Sequence, residues 1–156
     1  MSKKYSEETI IKLCNKIDEI ICYYNLFKDY KDKLSDELVY GNTSPSKIFK
    51  SMAHRAIYAL YRSFFYVIEN KKIDIKKLTG YNQIKGVHEL VMDIADKDIC
   101  HNDKNSNTYK VVSTDNELNK WESVLTESFL TDDQLKILLY FLQQEVKFHI
   151  CEDKID

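Results

Sequence analysis

Apolar residues along this chain return at steps of three and four, the spacing that lines one face of an α-helix. The first run extends from about Glu7 to Val39 through Ile10, Leu13, Cys14, Ile17, Ile20, Ile21, Tyr24, Phe27, Tyr30 (or Lys31), Leu34 and Leu38. Charged residues fill the positions between, so it reads as an amphipathic packing helix, with Asn25 as its candidate break. Gly41-Asn42-Thr43-Ser44-Pro45 is the clearest interruption, with Ser44 suited to the N-cap and Pro45 to the first helical position. A second helix follows to about Asn70. Its apolar residues, from Ile48 and Phe49 to Val67 and Ile68, spill around the circumference, which predicts a central place in a bundle.

Lys71 to Gly80 reads as a connector with a short helical turn from Asp74. The third helix spans about Asn82 to Cys100 on a face of Ile84, Val87, Leu90, Val91 and Ile94, and Gly86 within it predicts a close helix–helix approach. The polar stretch from His101 to Thr108 is the longest loop. Two capping boxes come next, Thr114-Asp-Asn-Glu117 and Thr131-Asp-Asp-Gln134. The first predicts a helix through Trp121, Val124 and Leu125, the second a final helix through Leu135, Leu138, Leu139, Leu142, Val146 and Ile150.

Composition agrees with this pattern. The 156 residues contain three glycines and one proline, where average usage would supply roughly 11 and 8. Sandwiches, barrels and doubly wound sheets need turn residues far more often than that. The expected fold is all-α: one domain over 1–156, a bundle of about five helices whose long N-terminal pair is antiparallel. A net charge of −2 and a pI near 6.1 give no global basic field for nucleic acid. No stretch approaches the roughly 20 apolar residues of a membrane span, and the Met-Ser-Lys-Lys-Tyr-Ser-Glu-Glu start lacks a signal core. A cytoplasmic protein without membrane contact is expected. Cys14, Cys22, Cys100 and Cys151 form no CxxC pair and read as buried, reduced thiols, so neither metal nor cofactor is expected.

Chemistry concentrates in two places. His101 closes the third helix and is followed at once by Asn102 and Asp103. A helix C-terminus favours the imidazolium, and Lys97 and Asp98 lie one turn back on the same face. Asp98 also continues the apolar stripe, as a semi-buried carboxylate would. The only arginines, Arg55 and Arg62, stand seven apart on one face of the second helix, near His54, Tyr58, Tyr61 and Tyr66. They read either as structural partners of Asp93, Asp96 or Asp98, or as phosphate ligands beside His101.

The pairing of Ala56-Ile-Tyr-Ala-Leu-Tyr-Arg-Ser-Phe-Phe65 with Ala95-Asp-Lys-Asp-Ile-Cys-His-Asn-Asp103 resembles the HEPN superfamily, particularly its abortive-infection-type members. In that family an Arg-Asn-Lys-x-x-Ala-His-x-Asp segment follows a long helix. The resemblance covers about residues 48–110. It implies that His101 takes the catalytic histidine, Lys97 the lysine, Asp96 the polar residue and Asp103 the acidic one. It also implies a homodimer, in which Arg and His from two protomers converge on a scissile phosphate in metal-independent RNA cleavage. The family arginine falls on Ala95. Without it the charge of the transition state must be met by Lys97 or Arg62, or catalysis is lost, and loss is the expectation.

The leading reading is a degenerate HEPN-like site that binds RNA or nucleotide, or a regulator in a defence or toxin–antitoxin setting. A site-less helical module binding another protein is the alternative, and an active ribonuclease a further one. The tyrosines serve mainly as core, with Tyr23-Tyr24 and Tyr58-Tyr61 as a partner groove in an interaction module. Lys71, Lys72, Lys76 and Lys77 form the one basic cluster.

Overall fold

The computed structural model describes residues 5–39, 44–66, 68–69, 71–96 and 130–152, with the backbone of 110–111 and 121–122. Helix α1 (Glu7–Tyr30) begins at Ser6, whose hydroxyl accepts from the Thr9 N–H, and runs unbroken through Asn25. It stops nine residues short of Val39. The chain beyond it is taken up by other bonds at Ser35: its hydroxyl accepts from the Glu37 N–H at 3.0 Å, and its carbonyl accepts from the Ser46 N–H at 3.1 Å. Such side-chain turns compete with helix. Leu38, the last residue of the expected stripe, and Val39, the expected helix end, are exposed.

Helix α2 (Pro45–Ser63) carries the expected cap, with the Ser44 hydroxyl accepting from the Lys47 N–H. It ends well before Asn70, where Phe64 and Phe65 turn into the core and a β-branched Val-Ile pair follows. It is not enclosed on all sides, because Ile48 and Met52 are exposed. A 3₁₀ turn (Ile75–Lys77) capped by Asp74 stands where the connector was expected to hold one. Helix α3 (Tyr81–Ile94) follows Gly80, a residue at φ 79°. The C-terminal helix begins as α4 (Asp132–Phe141), with both hydrogen bonds of the Thr131–Gln134 capping box in place. A π turn (Leu142–Val146) joins it to α5 (Lys147–Cys151). Leu138, Leu142, Val146 and Ile150 are four apart and all fully buried. Four-residue steps overshoot the 3.6-residue α turn, and the wider π turn absorbs the surplus.

The class is all-α. The one strand pairing among the described residues is two residues long, Lys110–Val111 against Trp121–Glu122, antiparallel. It corrects the helix expected through Trp121. Val and Trp are strand formers, and the register sets Val111 opposite Trp121.

Contacts set the helix directions. Lys16 Nζ donates to Ser63 Oγ at 3.1 Å, and the Phe27 ring meets His54 at 5.1 Å, so α1 and α2 are antiparallel. Lys147 pairs with Asp18 at 3.5 Å and Lys31 with Asp132 at 2.9 Å, so α4–α5 also runs against α1. Leu13, Ile17 and Ile20 of α1 are packed beneath both partners.

The N-terminus of α1 is held from a distance. Glu69, at φ 50°, follows α2 in a tight turn closed by reciprocal bonds between Ile68 and Lys71. Its carboxylate accepts from the Ser6 N–H at 2.9 Å, from the Ser6 hydroxyl and from Thr9 Oγ1 at 2.5 Å. These donors hold its pKa down at about 2.

Gly86 is exposed, and a Cβ there would meet nothing within 4 Å among the described residues. None of these residues makes the close approach expected at this glycine. Gly86→Ala is therefore expected to stabilise the fold by about 1 kcal/mol. Gly80→Ala should destabilise by a similar or larger amount because of its positive φ. Urea denaturation of the two variants checks the opposite signs.

Candidate functional site

The two segments that carry the family resemblance meet in the structure. Arg62, on the last turn of α2, donates from Nε to Oδ1 of Asp96, just beyond α3. The Tyr66 ring lies under the guanidinium, 4.2 Å from its central carbon, and the Tyr66 hydroxyl donates to the same carboxylate oxygen at 3.5 Å. The Arg62 side chain is 14% exposed and that of Asp96 45%. Of the three carboxylates considered, Asp96 is the one shown paired with Arg62. That pairing commits both residues: Arg62, a candidate phosphate ligand, and Asp96, a candidate of the catalytic group. Ala95, where the family has arginine, is fully buried in the core cluster. Arg55 is half-buried on α2. His101, Lys97, Asn102, Asp103 and Asp98 lie outside the described residues.

A second set of polar groups is buried inside α2. His54 is 1% exposed, and its Nδ1 lies 2.8 Å from the hydroxyl of fully buried Tyr58. The same hydroxyl accepts from the Leu130 N–H at 2.9 Å. The Tyr58 oxygen therefore accepts from a backbone amide while it also meets the imidazole, where the imidazole tautomer sets the direction of the bond. Burial, reinforced by the charge of Lys50 and opposed by Asp132, lowers its pKa to about 4. His88 repeats the device: its Nδ1 lies 2.8 Å from the Tyr61 hydroxyl, among the rings of Tyr61, Phe65 and Tyr81. Burial lowers its pKa as well. Tyr58 and Tyr61 are thus core residues and line no partner groove. Tyr23 and Tyr24 pack half-buried against the core.

A cleft of about 270 Å³ lies over His54, between the end of α1 and the starts of α2 and α4. Lys31 and Lys50 line it, and so do Asp32 and Asp132. Lys31 is bound to Asp132, which lowers the carboxyl's pKa and raises that of the ammonium. Carboxylates here complement the positive ends of two helices. A cleft with both signs of charge on its walls has no single-sign field to draw in a phosphate.

The basic cluster sits on the connector, where Lys72, Lys76 and Lys77 are exposed while Ile73, Ile75 and Leu78 point inward. Cys14 and Cys151 are half-buried and Cys22 is exposed, which corrects the expectation of buried thiols. No group of three or more His, Cys, Asp or Glu among the described residues is placed to hold a metal ion. Among the same residues, no helix is long and apolar enough to cross a membrane.

The buried Tyr58 junction could be suspected from the His54–Tyr58 spacing of four, but nothing in the sequence points from Tyr58 to Leu130. Comparison with protein-family models, with curated proteins and with solved structures gives no match.

Asp96→Ala leaves a mostly buried guanidinium without this carboxylate and is expected to cost about 1–2 kcal/mol, given the exposure of Asp96; urea denaturation measures it. The low pKa of His54 means that the unfolded chain binds more protons than the folded one between pH 4 and 6.5. Stability from the neutral imidazole is complete above pH 6.5 and declines toward pH 4, by up to about 3 kcal/mol. Denaturation midpoints at pH 7 and pH 5 should differ in the wild type, and the difference should shrink in His54→Gln.

Proposed function

We propose that this chain is a HEPN-like helical protein with a degenerate ribonuclease-type site, which binds RNA without cleaving it and acts as a regulator in a defence or toxin–antitoxin setting. The observation that carries the reading is the Arg62–Asp96 pair. It joins the Ala56–Phe65 segment to the beginning of the Ala95–Asp103 segment, the juxtaposition that a site built from both requires. The same pair supports the degenerate form. An arginine bonded to Asp96 and stacked on Tyr66 is a poor substitute for the missing motif arginine. The position that would carry that arginine is itself buried, at Ala95. What is left for an RNA phosphate is Lys97, His101 and Asn102, with a second protomer supplying the same groups across a two-fold axis. Asp103 would orient the histidine.

A second reading, a site-less protein-interaction module, has its own support. Ile137, Tyr140 and Phe148 are exposed on the C-terminal helix, Tyr140 at 67%. Tyrosine and phenylalanine are enriched where proteins meet.

The test uses the purified full chain and labelled single-stranded RNA in EDTA at low salt. Retarded but intact RNA is expected, with affinity falling about tenfold in Lys97→Ala and in His101→Ala, the loss of one charged contact. Tyr140→Asp should leave RNA binding unchanged. Absence of binding across varied RNAs overturns the proposal, and binding of a protein partner abolished by Tyr140→Asp would put the interaction module in its place. Cleavage that His101→Ala abolishes would establish an active ribonuclease instead.

A further inference from the structure

Cys14 and Cys151 are separated by 137 positions in sequence, yet their sulfurs lie 3.6 Å apart. They occupy corresponding places on antiparallel helices. One turn along each helix from the thiols, Asp18 and Lys147 form an ion pair at 3.5 Å, so the ladder has a second rung. Beneath both rungs, Leu13, Ile17, Val146 and Ile150 are buried. The register that brings the thiols together is therefore fixed by packing and by the ion pair, independently of the sulfurs.

We propose that Cys14 and Cys151 form a reversible oxidation site, which a small-molecule disulfide converts into an intramolecular disulfide clamping α1 to α5. A bonded pair needs about 2.05 Å between sulfurs. The approach from 3.6 Å falls within the reach of side-chain rotation, helped on one side by the position of Cys151 as the last residue of α5. Both thiols are half-buried, so part of each residue stays exposed. In the reduced state, burial and the hydrogen bond to Cys151 push the Cys14 thiol up, which favours its protonated form.

The exchange balances in two steps. The thiolate of one cysteine attacks a sulfur of the external disulfide, forms a mixed disulfide and expels one external thiolate. The second cysteine, deprotonated, attacks the protein sulfur of that mixed disulfide and expels the other. Two S–H bonds of the protein are replaced by one S–S bond. The two electrons and two protons released convert the external disulfide into two thiols. Cys22, exposed on the same helix, has no thiol at such a distance among the described residues and marks the contrast.

The experiment incubates the full chain carrying Cys22→Ser and Cys100→Ser with oxidised glutathione, followed by intact mass, peptide mapping without reduction and thermal melting. The expected product has lost two hydrogen atoms, carries no glutathione and joins the Cys14 and Cys151 peptides. Its Tm should rise by about 5–15 °C, because the bond closes a very long loop in the unfolded chain, and dithiothreitol should reverse the rise. Adding Cys151→Ser should stop the reaction at a glutathione adduct on Cys14 with no rise. Stable adducts on both sulfurs, or both thiols unreacted, would overturn the proposal. If the serine background does not fold, the wild-type chain decides the matter in the same way: the Cys14–Cys151 peptide must form ahead of any linkage to Cys22 or Cys100.

Discussion

The stripe of α1 has to serve two partners at once, and the arrangement of the bundle depends on that. Leu13, Ile17 and Ile20 are buried between α2 on one side and α5 on the other. Because both partners run against α1, they run parallel to each other. Two helix N-termini, at Ser44 and Thr131, are thereby placed at one end of the molecule beside the C-terminus of α1. Parallel neighbours add their dipoles unfavourably, and antiparallel ones relieve them. Asp132 and Asp133 in the first turn of α4, with Lys31 reaching Asp132, compensate this crowding.

Polar burial supplies the specificity that apolar packing alone lacks. The Tyr58 hydroxyl serves α2 through His54 and the approach to α4 through the Leu130 amide. One oxygen therefore ties the residue that precedes the Thr131 cap to α2. The Tyr61–His88 contact does the same between α2 and α3. Burial disfavours the charged form of both histidines, and each is held in the core by a hydrogen bond to a tyrosine.

Much of the fold was legible because it rests on local rules. The Ser44–Pro45 start, the Thr131–Gln134 capping box, the Asp74 turn and the stripe from Leu135 to Ile150 all depend on residues within a turn of one another. The errors came where the outcome depends on distant partners. Leu38 continues a periodic stripe, but no helix among the described residues covers it. Gly86 looks like a packing glycine, but it is exposed among the described residues. The closeness of Cys14 and Cys151 depends on helix register across the whole chain, which spacing cannot express. For the site, sequence supplied three possible partners for Arg62, and only the folded chain distinguishes Asp96. The HEPN-like histidine itself rests on the motif.

Glu69 shows how a fold keeps a residue that its own turn would reject. At φ 50° a glycine or asparagine is the easier occupant, and a glutamate is strained there. Its carboxylate, however, takes up the hydrogen bonds that begin α1. A substitution chosen to relax the turn would therefore remove acceptors from the start of the first helix, and one chosen to keep the carboxylate must accept the strained backbone. The beginning of α1 and the hairpin after α2 consequently form a single cooperative unit, so neither end should fray by itself. Exchange of the Ser6 amide with solvent then reports on a turn more than sixty residues away.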